Sequence, residues 1–535
     1  MKTTLFNLAM GLAAIAGSLS SAACAGDTTQ LIVGMPHQGH AMQTRDTRLF
    51  TADANPRDYL QGVIESPGGR FDLDLVTADG THVRRLLSDA GGGSDFRFVV
   101  EQAPVLMRLT ALSEVADFSL SLTKRVTPEE QQLPEQVYLS PVMEKLAADI
   151  ASGQSTESFW ERVQRQGTPL VESGKDGGII ATFLWRGAQK NVRLFGSPSG
   201  DHENLERIGQ SDVWFKSFAV PADTRLSYQL APDVPDLPGT ARERRIAILS
   251  TAQEDPFNRH PWPQDGFDRF DRDSVLELPD APKQSFINEK DVPKGSLQTV
   301  SITSAKLGNT RDITIYRPAG FSPEDPDNLL LFMFDGAQSL TKIPTPVILD
   351  NMIAEGHIPP LVAVLVNNPS PASRARELPA NPDFADFLAK DVLPLVIKET
   401  GIIHDPARTA LAGASYGGLA SMTVALRYPQ LFGNVLSMSG SFWWAPPNTA
   451  PDRQEYVAGL IAQEPAPAIR VFLSAGQFEV GAARGVPSIL DTNRHLRDLL
   501  LAKNTHVIYR EYAGGHDWLT WRGVLSDGLI SLFGK

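Results

Sequence analysis

The sequence predicts two β-sandwiches followed by a doubly wound α/β domain, and three observations carry that expectation. Residues from about 58 to 124 alternate apolar and polar with period two. A second β-rich stretch runs from about 159 to 280. From Gln298 onward, continuous apolar runs alternate with amphipathic segments, the mark of buried parallel strands between helices. At 535 residues the chain exceeds one ordinary core, so several domains are expected. Its 43 glycines and 39 prolines favour turns and strands over a helical bundle. A net charge of −13 with no long basic block argues against nucleic acid or an acidic membrane as partner. An anionic small molecule stays compatible where arginines gather locally.

Residues 1–25 read as an export signal: Lys2, then an apolar run from Leu5 to Ala16, then Ser21-Ala22-Ala23-Cys24-Ala25 as a small-residue cleavage zone. The run is too short and too rich in Ala and Gly to span a membrane well, so no transmembrane segment is expected. Cys24 is the single cysteine. Cleavage after Ala25 removes it and with it any disulfide or thiol chemistry. Cleavage after Ala23 would instead leave Cys24 as a lipid anchor, although Ser21 suits a lipoprotein signal poorly. The expectation is a soluble periplasmic protein.

Gly26 to Thr44 is polar and reads as a linker to a first sandwich at 50–125. There Phe71, Leu73 and Leu75 oppose Asp72 and Asp74. Phe96-x-Phe98-x-Val100 and Phe118-x-Leu120-x-Leu122 repeat the pattern. Ser66-Pro67-Gly68-Gly69, Asp79-Gly80 and Gly91-Gly92-Gly93 supply the turns. The module resembles the pre-peptidase-type sandwiches appended to secreted bacterial enzymes and shows no catalytic constellation, which suggests a stability or docking role. Thr127 to Ala151 connects onward, with an amphipathic stretch over Val142 to Ile150.

The second sandwich, 157–290, has candidate strands at 179–185, 191–195, 213–218 and 225–230, with Trp185, Trp214 and Tyr228 as core aromatics. Asp255 to Asp273 lacks periodicity and reads as an extended linker. In the last domain, 296–535, segments 298–304 and 311–317 form an antiparallel pair. Leu329–Phe334 and Leu361–Val366 are buried parallel strands, Val347 to Glu355 is a helix, and Asp383 to Lys398 is a long amphipathic helix.

Chemistry enters at Gly413-Ala414-Ser415-Tyr416-Gly417, a G-x-S-x-G motif between the short strand 408–412 and the helix 419–428. A serine on that turn is the nucleophile elbow of an α/β-hydrolase, with glycines 413 and 417 letting backbone pass close by. The acid and then the histidine must follow in the chain. His516, in Gly514-Gly515-His516-Asp517 after the strand 507–512, is the expected base. Glu479, after the strand 469–474, is the expected orienting acid, with Asp491, Asp517 and a bare Ser–His dyad as alternatives. The oxyanion hole would come from the Tyr416 amide and from the Gly336–Ala337 loop after Phe334. The fold class is therefore a multidomain β plus α/β chain, two N-terminal sandwiches followed by a C-terminal α/β-hydrolase domain.

Ser373-Arg374-Ala375-Arg376-Glu377-Leu378-Pro379, the elbow, Ser437-Met438-Ser439-Gly440-Ser441-Phe442-Trp443-Trp444, and Gly514-Gly515-His516-Asp517 with Trp521-Arg522-Gly523 resemble the enterochelin (enterobactin) esterases. Phe183-Leu184-Trp185-Arg186, Asp212-Val213-Trp214 and Asp255-Pro256-Phe257-Asn258 resemble that family's N-terminal Ig-like domain. The resemblance implies hydrolysis of the trilactone of a ferric catecholate siderophore. Iron would arrive with the substrate, and neither a cofactor nor a resident metal is expected. An anionic substrate on an acidic protein calls for local cations and aromatic faces. Candidates are Arg374, Arg376, Arg484 and Arg522, with Trp443, Trp444 and Trp518. Two features depart from the family, the export signal and the sandwich at 50–125. They keep open an exported carbohydrate or phenolic-ester esterase, and, from another class, a non-catalytic siderophore-binding protein.

Overall fold

The computed structural model describes residues 28–131, 136–174, 177–200, 202–450, 453–481 and 487–534. The export segment 1–25 with Cys24, and Arg484, lie outside the described residues. The chain divides into two compact units, Met1–Val137 and Tyr138–Lys535.

The first unit is a sandwich of nine strands. β1 (Thr29–Leu31), β3 (Thr47–Ala52), β5 (Phe71–Val76), β6 (His82–Ala90) and β8 (Val105–Ala111) make one sheet in the order β1-β3-β8-β5-β6. β2 (His37–Met42), β4 (Tyr59–Glu65), β7 (Ser94–Val99) and β9 (Val115–Val126) make the other, β2-β9-β4-β7. Phe50, Phe71, Leu73, Leu109 and Leu120 fill the space between them. Gly26–Thr44, expected as a linker, carries β1 and β2. Its polar strands gave no alternation because only Leu31, Gly39 and Met42 face inward. Asp72 and Asp74, read as solvent-facing, are also buried. Arg85 reaches Asp72 at 2.7 Å and Asp74 at 2.8 Å, so their charges are paired under the edge strand.

The second unit opens with α1 (Pro141–Ala151), capped by Ser140 accepting from the Met143 amide at 3.1 Å, and α2 (Glu157–Gln166). Its sandwich pairs β10 (Leu170–Ser173), β11 (Ile179–Arg186), β14 (Val213–Val220) and β13 (Glu206–Arg207) in one sheet. The facing sheet is β12 (Val192–Gly196), β15 (Arg225–Pro232), β17 (Asp273–Glu277) and β16 (Pro261–Trp262), with α3 (Ala241–Ile246) beside it. Asp255–Asp273 is not an extended linker. Asp255 is buried and accepts from the Tyr228 hydroxyl at 2.8 Å, its carboxyl pushed up to about 6 by burial, and Trp262 forms part of β16. Polar anchors without apolar period are invisible to a periodicity reading.

An eight-stranded sheet follows, β18 (Ser296–Ser304), β19 (Asn309–Arg317), β21 (Leu361–Val366), β20 (Leu329–Phe334), β22 (Thr409–Ala414), β23 (Asn434–Met438), β24 (Arg470–Gly476) and β25 (His506–Tyr512), in that spatial order. β18 and β19 run antiparallel and the rest are parallel from β21 on. Alternate residues of β20 feed opposite faces. Leu330, Phe332 and Phe334 pack with α7 (Pro382–Phe387), α8 (Leu393–Thr400) and α9 (Tyr416–Arg427). Leu329, Leu331 and Met333 pack with α5 (Thr345–Ala354) and α12 (Trp518–Phe533). Helices α4 (Gln338–Thr341), α6 (Pro371–Glu377), α10 (Tyr456–Gln463) and α11 (Ile489–Ala502) complete the layers. The helix expected over 383–398 is α7 and α8 joined by a π turn at 388–392. Pro394 lacks the amide a regular α-helix would use there, and the widened turn accommodates it.

Candidate active site

Ser415 sits between β22 and α9 with φ 58° and ψ −120°, the strained conformation of a nucleophile turn. The turn closes this tightly because Gly413 and Gly418 are bare. A Cβ at 413 would stand 2.6 Å from the Gly417 carbonyl carbon, and one at 418 would strike the Ser437 hydroxyl and lie 3.0 Å from the Gly440 Cα. Gly417, which the motif singles out, has room for a Cβ at ordinary contact distance, 3.5 Å from Phe334. Steric pressure falls on 413 and 418 instead.

The Ser415 hydroxyl lies 3.2 Å from the Ser441 hydroxyl. Ser441 is buried, and its amide donates to the Ser415 carbonyl at 3.1 Å. No pattern in the sequence marked Ser441, since it entered only inside the Ser-Gly-Ser segment after β23. The same loop meets the base. Trp521 donates its indole N–H to Ser439 Oγ at 3.0 Å and sets its ring at right angles to the His516 imidazole, 4.8 Å between centroids. Loop 439–441 thus ties both partners to the end of β23.

His516 Nδ1 is hydrogen-bonded to Glu479 Oε1. Glu479 is buried, and its other oxygen accepts from the Gly476 amide at 2.6 Å. The carboxylate is therefore fixed from two sides, and it holds the imidazole through Nδ1. Among the described residues Nε2 has no hydrogen-bond partner. The rival acids have other work. Asp491 accepts from the Ser488 hydroxyl at 2.7 Å at the start of α11, and Asp517 caps α12 by accepting from the Thr520 amide at 2.7 Å. Asp517 also accepts from the Ser227 amide of the second sandwich at 3.4 Å. Burial pushes the Asp517 carboxyl up, and it helps, after burial, to lift the neighbouring Asp273 carboxyl to about 7.

The amide of Tyr416 opens α9 directly after Ser415 and so belongs to the positive end of that helix. Gly336 does not supply the second donor expected of it. Its N–H donates to the Val366 carbonyl at 3.0 Å, which stitches the loop to β21. Among the described residues no hydrogen bond occupies the Ala337 amide. The loop is held by Asp335, at φ 55°, whose carboxylate takes Nε and Nη2 of Arg374 at 2.6 and 2.8 Å and Asn368 at 2.6 Å.

Arg374 is therefore first a clamp on that loop. Against the burial that would lower it, the Asp335 carboxylate raises its guanidinium further above the ordinary value. Its guanidinium also lies over the Tyr416 ring at 5.8 Å, and the half-buried Trp443 approaches the same ring at 6.3 Å. Arg374, Tyr416 and Trp443 form one rim beside Ser415. The remaining cations sit elsewhere. Arg376 bonds Glu377 at 3.0 Å, within a network that includes the fully buried Arg311–Glu377 pair. Arg522 donates to Gln284 at 2.7 Å, covers Trp262 at 5.5 Å and lines a cavity of ≈ 1020 Å³ between the second sandwich and α12, which contains none of Ser415, His516 and Glu479. Burial, and then Arg225, pull its guanidinium down to about 10. Trp444 packs against the hydrolase core beside Tyr456, and Trp518 against Trp521.

The constellation is that of acyl transfer. A hydroxyl on a strained turn, an imidazole oriented by a buried carboxylate and two unclaimed amides fit attack on an ester carbonyl.

Comparison with known proteins agrees with this chemistry. Residues 304–532 match the family described as "Putative esterase", and residues 180–287 match "Enterochelin esterase, N-terminal". The chain is 32% identical over 413 residues to the iron(III) enterobactin esterase of Dickeya dadantii, spanning 70% of this chain and 92% of that one. Among solved structures it is similar to the ferric enterobactin esterase of Salmonella typhimurium, with TM-score 0.57 and 29% identity over 70% of this chain and 98% of the other. It is likewise similar to the Shigella flexneri enterobactin esterase solved in the presence of enterobactin, with TM-score 0.56 and 29% identity over 70% and 97%.

Proposed function

The chain belongs to the enterochelin esterase family, and from that premise we propose that it hydrolyses the trilactone backbone of ferric enterobactin-type catecholate siderophores, serving iron acquisition. It is a carboxylic ester hydrolase. The observation that carries the mechanism is the buried Glu479 holding His516 Nδ1, which makes Nε2 the imidazole's proton acceptor, in a chain whose Ser415 stands on a strained strand-to-helix turn. Ser415 Oγ attacks a lactone carbonyl carbon while His516 Nε2 takes its proton. The carbonyl oxygen, now anionic, meets the amides of Tyr416 and Ala337 and the N-terminus of α9. Collapse breaks the ring C–O bond, and the departing serine hydroxyl recovers the proton from Nε2. Water then repeats the sequence on the acyl-serine and frees Ser415. The Arg374–Tyr416–Trp443 rim supplies a cation and aromatic faces to a catecholate arm.

Ferric enterobactin and a feruloyl ester, each incubated with wild type and Ser415→Ala, test the reading. Wild type is expected to cleave the siderophore and the variant to lose about 10³-fold or more in kcat. Cleavage of the feruloyl ester alone would point to the phenolic-ester alternative, and equal siderophore cleavage by the variant would refute the serine mechanism. We read residues 1–25 as placing this chemistry in the periplasm, with anchoring through Cys24 the other form. A chain lacking residues 1–25 is then expected to stay in the cytoplasmic fraction.

A further inference from the structure

The catalytic acid is held from outside its own domain. Phe478, the residue before Glu479, packs against the core of the second sandwich, a cluster that includes Phe183, Trp214 and Tyr228. Three residues on, Gly481 lies so close to Gly200, in the loop after β12, that a Cβ at 481 would overlap the Gly200 carbonyl. The base loop meets the same sandwich. Arg225 of β15 donates its amide to the Ala513 carbonyl at 2.9 Å, Ser227 donates to Asp517, and a Cβ at Gly515 would overlap the Ser197 hydroxyl. The two loops are also stitched to each other, Gln477 N–H to the Tyr512 carbonyl at 2.8 Å and Phe478 N–H to Gly514 at 3.2 Å. Acid and base are thus adjacent segments pressed onto one surface of the second sandwich, with Phe478 as the side chain packed against its core.

We propose that the second sandwich is a working part of the active site, and that Phe478 is a positioning residue that holds Glu479, and through it the His516 imidazole, in register with Ser415. The proposal rests on the triad assigned above. An imidazole displaced by an ångström loses proton transfer without losing substrate contacts. A defect at Phe478 therefore falls on kcat rather than on KM.

The test uses the full chain with Phe478→Ala, Phe478→Leu, Gly481→Ala and Ser415→Ala, assayed on p-nitrophenyl butyrate and on ferric enterobactin. Phe478→Ala and Gly481→Ala are expected to lower kcat about 10- to 100-fold with KM within about twofold. Phe478→Leu, which restores apolar packing against the sandwich, should recover most of the rate. Should Phe478→Ala fail to fold, the kcat and KM of Gly481→Ala decide. Wild-type kcat in the Phe478 and Gly481 variants, with Ser415→Ala inactive, overturns the positioning role alone. Full turnover by Ser415→Ala overturns the triad and the proposal together.

Discussion

Glu479 and Asp517 stand on either side of the question of which acid serves His516, and sequence order alone left it open. Glu479 bonds Nδ1 while Asp517 turns to the first turn of α12. Glu479→Gln, which keeps shape and removes charge, should cut kcat by about 10²- to 10⁴-fold. Asp517→Ala should cost stability first, about 1 kcal/mol as a lost helix cap, read as a lower melting temperature. The elbow offers a second residue-level test. Gly418→Ala forces a methyl onto Ser437 and Gly440, and overpacking of this kind costs about 1–3 kcal/mol. The same methyl at Gly417 meets only ordinary contacts and is expected to be milder. The motif therefore marks the right turn while hiding which of its glycines is under pressure. The Glu479–His516 contact and the Ser415 turn were legible because chain order and strand ends constrain them. Ser441 and the Gly336 amide were not, since their roles depend on backbone direction inside a turn.

Secondary-structure elements were legible wherever burial is continuous. Leu329–Phe334 and Leu361–Val366 announce themselves because both faces are covered. Polar segments held by single anchors, such as Asp255 under Tyr228, gave no such signal. The Arg311–Glu377 pair anchors α6, and α6 carries Arg374 to Asp335 at the end of β20. Removing only the acid, as in Glu377→Ala, strands a fully buried guanidinium and should cost about 3–5 kcal/mol in denaturant unfolding. Joint replacement, Arg311→Met with Glu377→Leu, should recover most of that loss. Asp273 on β17 sets a pH dependence. Its folded-state carboxyl, raised to about 7 by burial and by Asp517, is compared with an unfolded value of 3.8. The native state therefore holds a proton that the unfolded chain releases. Stability is greatest below about pH 4 for this group and falls as pH rises toward 7. Asp273→Asn should raise the melting temperature at pH 8 relative to wild type and bring little gain at pH 4.

At the scale of the whole molecule the two units differ in independence. The first has its own closed core, and the family relatives are covered almost entirely by about 70% of this chain. A chain beginning at residue 138 should thus fold and keep turnover within about twofold, checked by its melting curve and kcat. No such cut is open between the second sandwich and the hydrolase sheet, because Phe478 packs on the sandwich core and Gly481 meets Gly200 far back in the sequence. The consequence concerns recombination. Chimaeras that exchange the first 137 residues between homologues should inherit activity freely. Chimaeras crossed near residue 290 would set one parent's phenylalanine against the other parent's sandwich core, and functional offspring should be rare unless segments 196–200 and 478–481 descend together.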